Sequence, residues 1–118
     1  FKKNDGAMTI SQDTDSPEGF GNSWKCDVTS VSGTAGTNYV YLQQRIEAQN
    51  LQHIKKGTSN AQQLTLSFWI KSTKIGTYIA EIWDNGNGRG CSKSYTVNTT
   101  NTWEKKILIL ITSNLHIL

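Results

Sequence analysis

Two stretches of alternating residues constrain the fold of this chain more than any other feature. They cover residues 64–72 and 76–83, and a short loop joins them. Because a β-strand sends successive side chains to opposite faces, each stretch separates into two sets. The apolar set comprises Leu64, Leu66, Phe68 and Ile70 in the first stretch and Tyr78, Ala80 and Ile82 in the second. The pattern predicts two amphipathic strands that each bury one face.

The opposite faces of these two strands carry tryptophan among polar residues. Trp69 shares its face with Thr65, Ser67 and Lys71, and Trp83 shares its face with Ile79 and Glu81. A carboxylate is seldom buried without a partner, so the face that contains Glu81 is the wetter one. We expect Trp69 and Trp83 to lie on the outer side of the predicted fold.

Length and composition favour one small all-β domain. A chain of 118 residues supports a single hydrophobic core, so we expect residues 1–118 to form one domain. Ten glycines and frequent Thr, Ser, Asn and Gln suit short strands joined by turns. The sequence therefore predicts a sandwich of antiparallel strands. Because it begins at Phe1 without an initiator methionine, we expect it to be a fragment of a longer chain.

Residues 107–118 are atypical of such a domain. The run Ile107-Leu-Ile-Leu-Ile111 is apolar at every position. This composition is typical of a strand that is buried on both faces or of an aggregation-prone segment.

Charge and hydropathy exclude two classes of partner. The formal net charge is +3, and the basic residues are scattered instead of forming a phosphate-tracking run. No segment approaches the roughly 20 apolar residues of a spanning helix. We therefore predict binding to neither nucleic acid nor membrane.

The two cysteines are far apart in sequence. Cys26 and Cys91 lack the spacing of a zinc site or a redox pair, so we expect both to be reduced, although the sequence leaves their pairing open. Cys26 alternates with Trp24 and Val28, which predicts a buried face for these three residues.

Candidate catalytic groups are few, and we predict that the chain is not an enzyme. His53 and His116 are the only histidines, and no nucleophile elbow or phosphate-binding glycine loop occurs. Glu47 and Glu81 form the only carboxylate pair to consider for a glycosidase, and partners such as Arg45 or Lys71 explain them more simply. Residues 84–90 resemble a hairpin turn more than a calcium loop. No metal or other cofactor is predicted.

A face of aromatic, amide and charged side chains is the strongest candidate for a binding site. Residues 37–48 form the longest alternating segment, which predicts a strand whose face adds to those of Trp69 and Trp83. The predicted site consists of Tyr39, Tyr41, Gln43, Arg45, Trp69, Glu81 and Trp83. Sugars pack on aromatic rings and pair their hydroxyls with planar polar groups, so this surface suits a glycan. Exposed aromatics also mark protein interfaces, and a structural role inside the monomer is a third alternative.

Several segments of the chain resemble a known family. In order they are Gly6-Ala-Met-Thr-Ile-Ser-Gln12, Gln43-Gln-Arg-Ile-Glu47, the stretch 64–72 with Gly76-Thr-Tyr78, Ser94-Tyr-Thr-Val97 and Asn101-Thr-Trp-Glu-Lys-Lys106. Together they resemble marine bacteriophage virion proteins of the tail-fibre type. Ser67-Phe-Trp-Ile-Lys-Ser72 and Thr102-Trp-Glu-Lys105 also resemble, more distantly, the galactose-binding-like jelly rolls of carbohydrate-binding modules.

This resemblance implies a jelly-roll β-sandwich on a phage particle, made in the host cytoplasm, with a structural or adhesive role. It also implies a homo-oligomer whose partner is a host surface glycan, without naming the glycan, the host or the number of subunits. The family continues after Lys106 through a polar loop into further strands, whereas residues 107–118 are apolar here. We therefore expect a jelly roll that lacks its last strands and offers an open edge to another chain.

Overall fold

A computed structural model describes residues 2–3, 7–30, 40–56, 58–86 and 88–111. Its strands are β1 (Lys2–Lys3), β2 (Ala7–Asp13), β3 (Ser23–Ser30), β4 (Val40–Tyr41), β5 (Gln63–Ile70), β6 (Gly76–Asp84), β7 (Arg89–Val97) and β8 (Glu104–Ile111). One short 3-10 helix, Ala48–Ile54, precedes β5. The predicted all-β class is confirmed.

The described strands pair in four two-stranded antiparallel sheets. The pairs are β1 with β4, β2 with β3, β5 with β8 and β6 with β7. The chain divides into two compact units, Phe1–Arg45 and Ile46–Leu118, which we call the N-terminal unit and the C-terminal unit.

The N-terminal unit is built on the ribbon of β2 and β3. Its register places Ile10 opposite Cys26 and Gln12 opposite Trp24. The predicted burial of Trp24, Cys26 and Val28 is wrong, since Cys26 is exposed and the exposed fractions of Trp24 and Val28 are 73% and 49%. Alternation does place these residues on one face, but burial needs a second layer. No described residue provides that layer over these three side chains.

The predicted strand over residues 37–48 is also wrong in most of its described part. Within that range β4 covers only Val40–Tyr41, and residues 42–47 adopt neither strand nor helix. A strand lasts only as long as its partner, and the ladder of β4 with β1 ends where Lys2 pairs with Tyr41. Residues 37–39 lie outside the described residues.

The core of the C-terminal unit confirms the alternation predicted for β5 and β6. Inward residues of both strands are less exposed than their outward neighbours along the whole length of each strand. The ring of Tyr95 on β7 meets Phe68 edge-on at 5.0 Å between centroids and stacks on Tyr78 at 5.8 Å. Burial, together with the neighbouring Tyr78, raises the pKa of the Tyr95 hydroxyl. Three strands therefore share one aromatic cluster.

β8 is buried on one face only. Leu108 and Leu110 are 8% and 2% exposed, whereas Ile107 and Ile109 are 62% and 53% exposed. Leu110 lies opposite Leu64 and Leu108 lies opposite Leu66, so β8 completes the inner face of β5. β7 and β8 also contact each other, which joins the two sheets of this unit.

Two polar contacts hold the loops of the C-terminal unit. The ammonium of Lys56 donates to the Asp84 carboxylate at 2.6 Å, while the other oxygen of Asp84 accepts the Gly86 amide at 3.1 Å. This Asp-to-Gly bond starts the turn between β6 and β7, as the sequence predicts for residues 84–90. At the other end of β7, the Glu104 carboxylate accepts the amides of Asn98 and Thr99 at 2.9 and 2.8 Å.

Candidate ligand-binding site

The structure distributes the seven predicted site residues over both units. Tyr39 lies outside the described residues. Tyr41 ends β4 and is 39% exposed, and Gln43 and Arg45 are exposed in the segment that follows it. Trp69, Glu81 and Trp83 belong to the C-terminal unit.

Within the C-terminal unit, Trp69 lies in a different sheet from Glu81 and Trp83. It lies on the outer face of the β5–β8 sheet, opposite Lys105, and is 39% exposed. Its neighbours on that face include the exposed Ile107 and Ile109, which lie opposite Ser67 and Thr65. This face is apolar and differs chemically from the face that bears Glu81.

Glu81 and Trp83 lie on the outer face of the β6–β7 hairpin. Strand register pairs Thr77 with Thr96, Ile79 with Ser94, Glu81 with Ser92 and Trp83 with Gly90. These eight residues form what we call the hairpin face, and all of them are exposed. Directly opposite residues in an antiparallel pair lie on the same side of the sheet, so their side chains can act on one ligand.

Trp83 and Glu81 converge over Gly90. A Cβ atom at Gly90 would lie 2.8 Å from Cε3 of Trp83, 2.9 Å from Oε1 of Glu81 and 3.0 Å from the Ile82 carbonyl oxygen. The indole and the carboxylate therefore both reach the same point above the Gly90 backbone. The sequence analysis missed Gly90 in this role, because the glycines of residues 86–90 also predict a turn. The signal was its position opposite Trp83, which only the strand register reveals.

The hairpin face combines an apolar plate with several hydrogen-bonding groups. The indole of Trp83 is 54% exposed and offers a flat surface. An ionised Glu81 accepts hydrogen bonds only, whereas the hydroxyls of Ser92, Ser94 and Thr96 both donate and accept. Such a set matches a ligand that has a ring-shaped C–H face and a rim of hydroxyls.

Behind this face, the Cys91 thiol points to the inner side opposite Ile82. Burial raises its pKa, and the negative charge of Glu81 raises it further. Cys91 is thereby held in the weakly nucleophilic thiol form. Cys26 is likewise a free cysteine.

Other groups considered from the sequence are placed as follows. Glu47 accepts a hydrogen bond from the Gln49 amide at 2.6 Å, and His53 is exposed in the 3-10 helix. Among the described residues, no three His, Cys, Asp or Glu side chains lie close enough together to hold a metal ion. In the same part of the chain, no helix has the length and apolar character needed to cross a membrane.

Comparison with known proteins found no match to this chain among family models, curated proteins or solved structures.

Proposed function

We propose that this chain is a non-enzymatic module of a phage virion appendage, of the tail-fibre type, that binds host surface glycan through the hairpin face. The virion assignment rests on the resemblance of the segments quoted above. The glycan assignment rests on one observation, the convergence of the Trp83 indole and the Glu81 carboxylate over Gly90 on an exposed face.

In this proposal a sugar ring packs its C–H face on the Trp83 indole. The Glu81 carboxylate accepts hydrogen bonds from one or two hydroxyls, and charge-assisted bonds of this kind are stronger than neutral ones. Ser92 and Ser94 meet hydroxyls further along the hairpin. One ring presents few atoms, so a single site binds with a dissociation constant on the order of 1 mM.

Virion appendages compensate for weak single sites by presenting several copies. Joining binding modules raises the overall affinity by roughly 10²- to 10⁴-fold when the geometry allows simultaneous contact. We therefore include in the proposal a homo-oligomer on the phage particle, which meets a surface that repeats the same sugar.

For the architecture, we propose that the paired strands belong to a jelly-roll β-sandwich. The support is the antiparallel pairing throughout and the one-sided burial of β5, β6 and β8. An experimentally determined structure checks this arrangement directly, since a jelly roll requires two packed sheets with Greek-key connections.

Glycan binding is tested on an array of bacterial surface polysaccharides. We expect the wild-type chain to bind a subset of them, and Trp83→Ala and Glu81→Gln to lower that signal at least about tenfold by removing the plate or the charged acceptor. Ile75→Ala, at a residue 65% exposed in the loop before β6, is the control and should bind normally. An array without any wild-type signal, or a signal that survives both hairpin changes, contradicts the proposal.

A second function, an oligomerisation domain that does not bind glycan, is favoured by the outer face of the β5–β8 sheet. Trp69, Ile107 and Ile109 are all exposed there, and exposed apolar clusters mark interfaces. Light scattering over a range of concentrations should then show an oligomer that Ile107→Lys dissociates and Ile79→Lys, on the hairpin face, does not. A monomer at all concentrations contradicts this alternative.

A further inference from the structure

The N-terminal unit contains a recess that shares no residue with the hairpin face. It has a volume of about 250 Å³ and is lined by Gln12, Asn22, Ser23 and Trp24. Gln12 and Trp24 lie directly opposite each other at one end of the β2–β3 ribbon, and Asn22 and Ser23 lead into β3. We propose that this recess is a binding site for one neutral sugar ring.

The aromatic wall of the recess has no structural partner of its own. Trp24 is 73% exposed, so its indole contributes little to a core and is available to a ligand. An exposed tryptophan at a concave place is a costly feature for a surface unless it contacts something. A ring with a C–H face gains most from an indole plate when polar groups beside the plate pair its hydroxyls.

The polar wall meets that requirement. No side-chain hydrogen bond occupies the amides of Gln12 or Asn22 within the part of the chain that the structure describes. Each amide both donates and accepts, which matches a hydroxyl in either orientation. The hydroxyl of Ser23 donates to the Asp15 carbonyl at 2.6 Å, so its lone pairs remain to accept from a ligand.

The loop that carries Asn22 is held by its own hydrogen bonds. The Phe20 amide donates to the Pro17 carbonyl at 3.1 Å, the Ser16 hydroxyl donates to the Phe20 carbonyl at 2.5 Å, and Pro17 is buried. A pre-ordered loop loses little conformational freedom when a ligand binds. The recess is therefore formed before the ligand arrives.

Charge and size define the ligand class. All four lining side chains are neutral, and the nearby ion pair of Lys25 with Asp13, 3.5 Å apart, involves residues that alternate with Gln12 and Trp24 and so point to the opposite face of the ribbon. An acidic sugar would lose solvation of its carboxylate without gaining a cation. The volume is below the roughly 300–1,000 Å³ of drug-sized pockets, which limits the recess to one ring.

The test is NMR titration of the full chain, following the indole N–H signals of its four tryptophans, each assigned by a single Trp→Phe variant. The probes are D-glucose, D-galactose, D-mannose and N-acetyl-D-glucosamine, with D-glucuronate as the charged comparison. We expect the Trp24 signal to shift and saturate with at least one neutral sugar, and to respond more weakly to glucuronate. Gln12→Leu should weaken the response about two- to tenfold, as the loss of one hydrogen bond does.

The outcomes separate this inference from the proposed function. A Trp24 signal that ignores every neutral sugar overturns the inference, even if the Trp83 signal responds and supports the hairpin face. A Trp24 response with a silent Trp83 supports the inference and counts against the hairpin face. A Trp24 signal that moves with protein concentration instead of sugar identifies an interface between copies and also overturns the inference.

Discussion

The indole of Trp83 lies over Gly90, its directly paired neighbour across the hairpin, and occupies the space that a side chain at position 90 would need. Glu81 reaches the same place from two residues earlier on β6. The backbone of Gly90 thus forms the floor on which an apolar plate and a carboxylate meet. Each group could serve elsewhere alone, but together they make the hairpin face the best-defined recognition surface of the C-terminal unit.

Gly90→Ala tests this arrangement by filling the floor. The added methyl group would lie under 3 Å from both Trp83 and Glu81, so both side chains must move. We expect glycan binding by the hairpin face to fall about tenfold, whereas the free energy of unfolding changes by only about 1 kcal/mol because the displaced side chains are exposed. Array binding and urea unfolding measure the two effects. Gly21→Ala, where nothing lies within 4 Å, is the matched control.

Leu110→Ala tests the one-sided burial of β8. Leu110 is 2% exposed, so its truncation should lower the free energy of unfolding by about 2–5 kcal/mol, as cavity-forming changes do. Ile109→Ala, at the adjacent residue that is 53% exposed, should cost less than about 1 kcal/mol. Chemical denaturation of the two variants gives the comparison. Equal losses would mean that both faces of β8 are covered in solution.

Glu104 predicts a pH dependence of stability. Its carboxylate accepts hydrogen bonds from the Lys106 ammonium and from the Asn98 and Thr99 amides, which lower its pKa from 4.5 to about 2. Because the pKa is lower in the folded chain, the carboxylate stabilises the fold above its unfolded pKa. This contribution is lost as the pH falls from about 4.5 to about 2.

Replacing this carboxylate should remove that pH dependence. We expect Glu104→Gln to lower Tm at neutral pH and to flatten the decline of Tm between about pH 4.5 and about pH 2. Thermal unfolding followed by circular dichroism across this range measures the difference. Glu18→Gln, at an exposed residue in the loop after β2, is the control. A Glu104→Gln variant whose acid profile matches the wild type would show that Glu104 does not carry the dependence.

The ion pair of Lys56 with Asp84 predicts an unequal effect of its two partners. The side chains are 28% and 14% exposed, and Asp84 also accepts the Gly86 amide at the start of the hairpin turn. Lys56→Met should lower the free energy of unfolding by about 1 kcal/mol, because the pair is only partly screened by solvent. Asp84→Ala should cost more, since it also removes the turn contact. A double-mutant cycle in urea isolates the pair, and equal losses from the two single changes would contradict this account.

Local patterns in the sequence account for much of the fold. Alternation along β5 and β6 correctly separates Phe68 and Tyr78 from Trp69 and Trp83, because the two-residue period is a property of the strand itself. The Asn-Gly signal at residues 85–86 likewise marks the turn of the hairpin, since turn chemistry depends on adjacent residues. The sequence alone therefore determined the all-β class, the faces of these strands and the position of this turn.

Tertiary structure decided everything that depends on a distant partner. Alternation grouped Trp24 with Cys26 and Val28, but whether that face is covered depends on a layer that no local pattern describes, and it is exposed. β4 ends at Tyr41 because its partner β1 ends, which leaves Gln43 and Arg45 off the strand. Gly90 became part of the candidate site only through its register with Trp83. Side-chain period is encoded by neighbours in sequence, whereas burial, strand length and convergence arise from neighbours in space.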